Sequence, residues 1–331
     1  MSSILVTGAT GHIGNVLVRY LLEQGHKVRA LILPGESRAP LQGLEIEPLE
    51  GDVLDYESLR LACKGVEVIY HLAGMITILP GPQPQVWNVN VQGTLNAIRA
   101  ARQEGVERFI YTSSIHAIQR VESGVIDERL PYDPNNPYGE YDRSKAVATL
   151  EVQKAVQAGL DAVIACPTGV IGPYDFRLSE MGGIIRDAAL CRPTLYVDGA
   201  YDFVDVRDVA QGLMLTAEKG IKGESYILSG ERISVRYLLE TIREVTGRGF
   251  FTLKVPRALA AFGARLTPIF YRWRNSKPRF TPYSLEVLAS NSHISHAKAT
   301  RELGYSPRSL KESLADTVRW FLENRLGFAG T

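Results

Sequence analysis

The chain has 331 residues, 45% hydrophobic and 22% charged, a globular mixture long enough for one large domain or two joined ones. With 37 Lys and Arg against 36 Asp and Glu the net charge is +1, which leaves no footprint for nucleic-acid phosphates. Three scattered cysteines, Cys63, Cys166 and Cys191, make neither a disulfide framework nor a zinc site, a pattern that fits a reducing cytoplasm.

The N-terminus opens directly on an apolar run with no basic segment before it, so no signal peptide is expected. Residues 4–7 read as a short strand. A glycine-rich turn follows, then a helix with Ile13, Val16, Leu17, Tyr20 and Leu21 on one face. Further strands are predicted over 28–33, more weakly over 45–49, and over 66–71, 109–113 and 162–166; helices are predicted over 59–63, 85–102 and 138–157. The long uncharged run 72–98 carries Pro80, Pro82 and Pro84 and reads as a loop entering a helix, so no membrane span is expected. Alternating strands and helices imply right-handed crossovers and an α/β fold with a doubly wound parallel Rossmann sheet.

After Pro167 the rhythm loosens. A strand running into a helix is predicted over 203–216, a strand over 225–228, and helices over 234–246, 257–265, 283–288 and 310–323. This predicts a dinucleotide-binding domain of residues 1–166 plus about 203–228. A smaller, mostly helical substrate domain takes 167–202 and 229–331.

Two groups of residues carry chemistry. In Gly8-Ala9-Thr10-Gly11-His12-Ile13-Gly14, placed between strand and helix, Gly8 permits a tight turn, Gly11 lets a pyrophosphate approach and Gly14 allows close helix packing. The helix start offers free N–H groups and a positive dipole end to the phosphates. Further on, Tyr141 and Lys145 stand four apart on one helix face. A nearby ammonium is expected to lower the phenol's pKa and suit it to proton transfer at a carbonyl or alcohol. Tyr138, seven residues from Lys145, is a decoy. The strand over 109–113 runs into Ser113-Ser114, hydroxyls at the ligand-binding end of a parallel sheet.

Taken together and in this order, the residues resemble the extended short-chain dehydrogenase/reductase superfamily, from about Ile4 to about Leu322. By that resemblance Ser114, Tyr141 and Lys145 are the catalytic set, with Ser113 the alternative to Ser114, and Asn90 matches the Asn of the family's fourth-helix motif. Asp52-Val53 is similar to the adenine-contacting pair, His71-Leu72-Ala73-Gly74 to the stretch under the ribose, and Pro167-Thr168-Gly169-Val170-Ile171-Gly172-Pro173 to the segment beside the nicotinamide, with Leu72, Ala73, Gly74 and 167–170 expected to touch the cofactor. The details look most like dihydroflavonol reductase and 3β-hydroxysteroid dehydrogenase relatives. Ile115-His116 replaces the Asp-Glu pair of sugar-nucleotide dehydratases.

The expected activity is hydride transfer between a nicotinamide cofactor and a carbonyl or secondary alcohol of a fairly apolar small molecule. The alternatives are a nucleotide-sugar epimerase with retained NAD and a non-catalytic dinucleotide-sensing regulator; the Tyr/Lys pair counts against the latter. The resemblance also implies a homodimer through the helices over 85–102 and 138–157.

Cofactor choice rests on residues 31–38. No carboxylate ends the second strand, where NAD sites usually carry one. Glu36 could serve NAD, whereas Ser37-Arg38 could hold a 2′-phosphate, and Arg38 tilts the expectation to NADP. His116 reads as a structural loop histidine, substrate contact being the alternative, and six histidines lack metal-ligand spacing. Phe270-Tyr271-Arg272-Trp273-Arg274, which mixes aromatics with cations, reads as packing and pocket rim rather than a grip on a membrane or nucleotide.

Overall fold

A computed structural model describes residues 2–263 and 281–324. The chain begins β1 (Ser3–Thr7), α1 (His12–Glu23), β2 (Lys27–Ile32), β3 (Glu47–Glu50), α2 (Tyr56–Cys63) and β4 (Val68–His71). Then α3 (Pro84–Trp87) runs through a π-turn (Asn88–Gln92) into α4 (Gly93–Gln103), followed by β5 (Arg108–Thr112), α5 (Glu140–Gln157) and β6 (Ala162–Pro167). The second half comprises β7 (Gly169–Ile171), α6 (Glu180–Ala189), β8 (Thr194–Tyr196), β9 (Ala200–Asp205), α7 (Val206–Lys219), β10 (Ser225–Leu228), β11 (Glu231–Ser234), α8 (Val235–Thr246) and β12 (Thr252–Lys254). After a stretch that is helical over 257–263 come α9 (Pro282–Ala289), α10 (Ala297–Leu303) and α11 (Leu310–Glu323). The end of the helix predicted over 257–265 and the Phe270–Arg274 stretch lie outside the described residues.

Seven strands pair in parallel in the order β10-β6-β5-β4-β1-β2-β3. The direction of winding reverses at β1, so the crevice beyond β1 and β4 is the switch point where such sheets bind ligands. Strand alternation sends Leu5 to one face and Ile4 and Val6 to the other. Against the first face pack Leu59, Ala97, Ala101, Ala148 and Val152 of α2, α4 and α5; against the second pack Val16, Leu17 and Leu21 of α1 and Val209 and Leu213 of α7. Both faces are thus covered, as near-continuous apolar strands require.

A third cluster joins α6, α8 and α11 through Ile185, Leu238, Leu239, Leu314 and Phe321. The stretch predicted to return to the first domain divides: β9 lies in a small sheet between β7 and β11, while β10 joins the large sheet. Asp205 marks the divide. Its carboxylate accepts from Arg207 N and caps α7.

Candidate active site

The glycine turn closes between β1 and α1. Gly8 has φ +71°, and a Cβ there would stand 2.8 Å from the backbone of Leu72 and Ala73. A Cβ on Gly14 would lie 2.1 Å from the Gly8 carbonyl oxygen, so this glycine brings the helix against the turn. Gly11 differs. Its backbone is ordinary (φ −71°), and the nearest protein atom to an added Cβ is the same carbonyl at 3.1 Å. Gly11 is also the N-cap of α1 without a side-chain hydrogen bond, which leaves the first-turn N–H groups of His12 and Ile13 available to an anion. This is a cradle that a Cβ would fill, and it fits a dinucleotide's pyrophosphate.

A loop from the second half of the chain folds over this turn. Asn15 Nδ2 donates to the carbonyls of Gly11 (2.7 Å) and Tyr174 (3.2 Å), and His12 Nε2 lies 2.9 Å from the Pro173 carbonyl. Tyr174 and Leu178 both hold left-handed backbone, φ 67° and 52°, so the loop keeps a conformation that side chains disfavour. Arg177 in this loop donates to Thr10 Oγ1 at 2.7 Å and pairs with Glu36, to which Thr10 also donates at 2.5 Å. Sequence reasoning missed Arg177: it sits some 167 positions from Thr10, and no local pattern marks it.

Arg38 is the residue expected to hold a 2′-phosphate. It pairs with Glu50 at 2.6 Å, with both side chains more than half exposed. The reason is local: the guanidinium finds a carboxylate at the end of neighbouring β3, while Glu36 turns to Thr10. On the far side of the crevice, Asp52 accepts from Leu54 N at 2.9 Å, and buried Val53 packs against Gly93, where a Cβ would meet it at 2.7 Å.

The strand ends of β1 and β4 are tied by buried polar groups. Thr7 Oγ1 and His71 Nδ1 are 2.8 Å apart, Thr7 Oγ1 accepts from Ala73 N at 3.2 Å, and burial lowers the His71 pKa to about 3, keeping it neutral. Asn90 sits in the π-turn, a geometry frequent at functional sites. Its side chain accepts from Met75 N (2.8 Å) and donates to Met75 O (3.0 Å) and Ser144 Oγ (2.9 Å). It thereby joins the loop after β4 to α5. A Cβ on Gly74 would come within 3.1 Å of Asn90 Oδ1 and 3.4 Å of Lys145 Nζ, so these groups converge beside the ribose-like stretch.

Ser113 and Ser114 separate cleanly. Ser113 Oγ is buried 2.6 Å from Thr149 Oγ1, whereas the Ser114 hydroxyl accepts from His116 N at 3.2 Å and lies close enough to the Tyr141 phenol to pull its pKa down. Lys145 Nζ donates to the Thr112 carbonyl at 2.8 Å. Tyr138 is turned aside, its ring 3.9 Å beneath the Arg120 guanidinium. The expected lowering of the phenol is not what the site does. Burial pushes Tyr141 up to about 12, against the pull of the nearby Ser114 hydroxyl, and the Asp142 charge raises it further. Burial also holds Lys145 down to about 8, so its ammonium is itself destabilised. Beside Pro167, Thr168 Oγ1 donates to Asp202 Oδ1 at 2.7 Å, Gly169 pairs with Phe203 and Val170 with Val204. Burial raises Asp202 to about 6.

Next to Tyr141 stands a polar aromatic wall, of which the sequence reading singled out only His116. His116 stacks on Tyr201, centroids 5.9 Å apart, with Nε2 2.9 Å from the Tyr201 hydroxyl. Tyr283 donates to Asp142 at 2.7 Å, and Arg120 does so at 2.8 Å. Burial lowers the His116 pKa, partly offset by the Asp142 charge. Among the described residues no group of His, Cys, Asp and Glu could hold a metal ion, and no helix is long and apolar enough to cross a membrane.

Residues 4–229 match the NAD dependent epimerase/dehydratase family. The chain is similar to sterol demethylase protein B of Methylococcus capsulatus, 39% identical over 96% of this chain and 98% of that protein. It is also similar to a Synechocystis protein assigned provisionally as dihydroflavonol 4-reductase, 33% identical over 96% and 93%. The fold superposes on the dTDP-glucose 4,6-dehydratase DesIV of Streptomyces venezuelae, solved with NAD and TYD, with TM-score 0.79, 25% identity and 99% of each chain covered. The chain belongs to the NAD-dependent epimerase/dehydratase family, the extended short-chain dehydrogenase/reductases, with dihydroflavonol reductase-like and 3-beta-hydroxysteroid dehydrogenase-like proteins among its relatives. It is an NAD(P)-dependent oxidoreductase of that type.

Proposed function

We propose that the chain reduces the carbonyl of a fairly apolar, ring-containing small molecule, or oxidises the matching secondary alcohol, with Tyr141 as the acid/base. The observation that carries this reading is the placement of the Ser114 hydroxyl, just past the end of β5, beside the Tyr141 phenol, with Tyr141 one helical turn from Lys145 on α5. A carbonyl oxygen entering between the two hydroxyls meets two donors. A phenol held near 12 keeps its proton at neutral pH, so its resting role is to donate to the oxygen as it becomes an alkoxide. Ser114 holds that oxygen, Lys145 serves the phenol's return to protonated form, and Asn90 fixes the helix that carries both.

A bound nicotinamide would supply the hydride; Gly11, His12, Ile13, Thr10, Asp52, Val53, Leu72, Ala73, Gly74 and the 167–170 segment are the residues that would hold it. The wall of Tyr201, Tyr283 and His116 offers aromatic faces beside the reacting oxygen, which favours a flat apolar substrate. Sterol and dihydroflavonol, the compounds in the relatives' names, are both ring-containing molecules. For the cofactor, the contact of Glu36 with Thr10 supports NAD over the NADP that Arg38 suggested. The dimer through α4 and α5 belongs to the same reading and is tested by light scattering. The activity is tested by assaying polycyclic and linear ketones with NADH and NADPH. Turnover of the polycyclic set is the expected result, and turnover of nucleotide sugars alone would sink the proposal.

A further inference from the structure

The glycine turn meets a pyrophosphate without a cation of its own. Residues 7–14 include no Lys or Arg, so only the N–H groups and the dipole of α1 oppose the two negative charges from within the turn. Two neighbouring arginines are engaged elsewhere: Arg19 donates to the Pro40 carbonyl at 2.9 Å, and Arg38 pairs with Glu50.

The cation at the turn comes from the second half of the chain. Arg177 donates through Nη2 to Thr10 Oγ1 at 2.7 Å, and the same Nη2 pairs with Glu36. Its Nη1 and Nε make no hydrogen bond to any described residue, and the side chain is 52% exposed. The guanidinium is therefore fixed at one corner, beside the residue that precedes Gly11, with donors to spare.

The loop is built to keep it there. The buried Asp175 carboxylate accepts from Ser179 N at 2.8 Å and Ser179 Oγ at 2.7 Å, and Ser179 Oγ in turn accepts from Gly182 N at 3.0 Å as the cap of α6. The Phe176 ring meets Trp320 of α11 edge-on, centroids 5.2 Å apart, and the Arg19 guanidinium lies 4.7 Å from the centre of the Tyr174 ring. Positions on both sides of Arg177 are thus pinned, and these contacts sustain the left-handed backbone of Tyr174 and Leu178.

We propose that Arg177 binds the pyrophosphate of the dinucleotide, with Glu36 and Thr10 holding the guanidinium in place for it, so that the loop over 172–179 makes the second half of the chain part of the cofactor site. This rests on reading the glycine turn as the dinucleotide site. A guanidinium suits a diphosphate because its fork donates two hydrogen bonds at once, and one that is already fixed loses little freedom on binding. Thr10 adjoins the Gly11 cradle, so the phosphate on this side is the pyrophosphate common to NAD and NADP.

The experiment is isothermal titration of the full chain with NADH, NADPH and ADP-ribose. Arg177→Gln should weaken all three by a similar factor, about ten- to a hundredfold, the usual contribution of a hydrogen bond to a charged group. The melting temperature should stay near the wild-type value, since an exposed ion pair adds little stability. Arg177→Lys keeps a cation without the fork and should lose less. Wild-type ADP-ribose affinity in Arg177→Gln, with binding lost in Gly11→Val, overturns the proposal and leaves the dinucleotide reading standing. Wild-type affinity in Gly11→Val overturns that reading and the proposal with it. A loss confined to NADPH overturns the pyrophosphate contact in favour of the 2′-phosphate. A loss of NADH and ADP-ribose affinity that vanishes once Glu36 is already Gln also overturns it, because Arg177 would then act only as a prop for Glu36.

Discussion

The Tyr283 hydroxyl on α9 donates a 2.7 Å hydrogen bond to Asp142, the residue directly after Tyr141 on α5. The two positions are 141 residues apart, and Asp142 is fully buried. Arg120 balances its charge at 2.8 Å. A helix from the C-terminal part is therefore latched beside the phenol, and the aromatic wall and Tyr141 share one anchor.

Tyr283→Phe should keep the ring's packing on His116 yet leave a buried carboxylate short of one donor. Hydrogen bonds to charged groups contribute about 1.5–3 kcal/mol. Denaturant unfolding should show a loss of that order, and KM should rise more than kcat falls because the wall rather than the proton donor is disturbed. An unchanged unfolding midpoint would mean that Arg120 alone satisfies Asp142.

Tyr141→Phe removes the proton donor and keeps the buried ring. Turnover should fall by about 10²–10⁴, the usual contribution of a general acid, while dinucleotide titration gives a near wild-type constant. Wild-type rates on every accepted carbonyl would move the role to another group.

Lys145 gives a prediction with a sign. Its folded pKa, about 8, lies below the usual 10.5, so the folded state binds fewer protons than the unfolded one between those values. Stability carries a constant penalty below pH 8 and regains it as pH rises from about 8 to about 10.5. Lys145→Met should therefore be more stable than wild type at neutral pH, by an amount on the order of 3 kcal/mol at most, and nearly inactive. The advantage should shrink toward pH 10.5. A stability difference that is flat across that window would show that the ammonium is not destabilised by burial.

Much of this fold is legible in the sequence because apolar periodicity is strong where elements bury a whole face. The strand predicted over 225–228 and the helix over 310–323 coincide with β10 and α11. The short strands β7, β8, β11 and β12 are not legible, since, unlike β10, which buries three of its four residues in the large sheet, they stay largely exposed or half-buried and carry no apolar run. The site divides similarly. The glycine turn and Tyr141–Lys145 are local spacings on single elements. Arg177, Tyr201 and Tyr283 reach the site only by folding of distant segments. The direction of the Tyr141 shift depends on burial, which the spacing of two residues does not reveal.

Two glycines of the turn, Gly14 and Gly11, should behave differently. At Gly14 a methyl would stand 2.1 Å from a backbone carbonyl oxygen that cannot move aside, so Gly14→Ala should lose folded protein, at more than the about 1–3 kcal/mol of ordinary overpacking. Gly11→Val faces a 3.1 Å contact and an allowed backbone, so it should melt near wild type and lose dinucleotide binding. Circular dichroism and a cofactor titration on both variants separate the two cases.

Cofactor choice turns on two charges that the loop sends in opposite directions. Glu36 accepts from Thr10 at the glycine turn, and Arg38 pairs with Glu50 on the exposed edge. A carboxylate near the adenosine ribose accepts from the 2′-hydroxyl of NAD and repels the 2′-phosphate of NADP. Because a hydrogen bond to a charged group contributes about 1.5–3 kcal/mol, Glu36→Gln should weaken NAD binding by about ten- to a hundredfold and narrow or reverse the preference over NADP. Arg177 would then be released from its pair with Glu36 and become free to meet a phosphate, which adds to the shift. Arg38→Ala should leave both affinities nearly unchanged, since its partner lies on β3 and not at the turn. If instead Arg38→Ala selectively lowers NADP affinity while Glu36→Gln leaves NAD affinity alone, the loop rearranges when the dinucleotide binds and Arg38 takes the role.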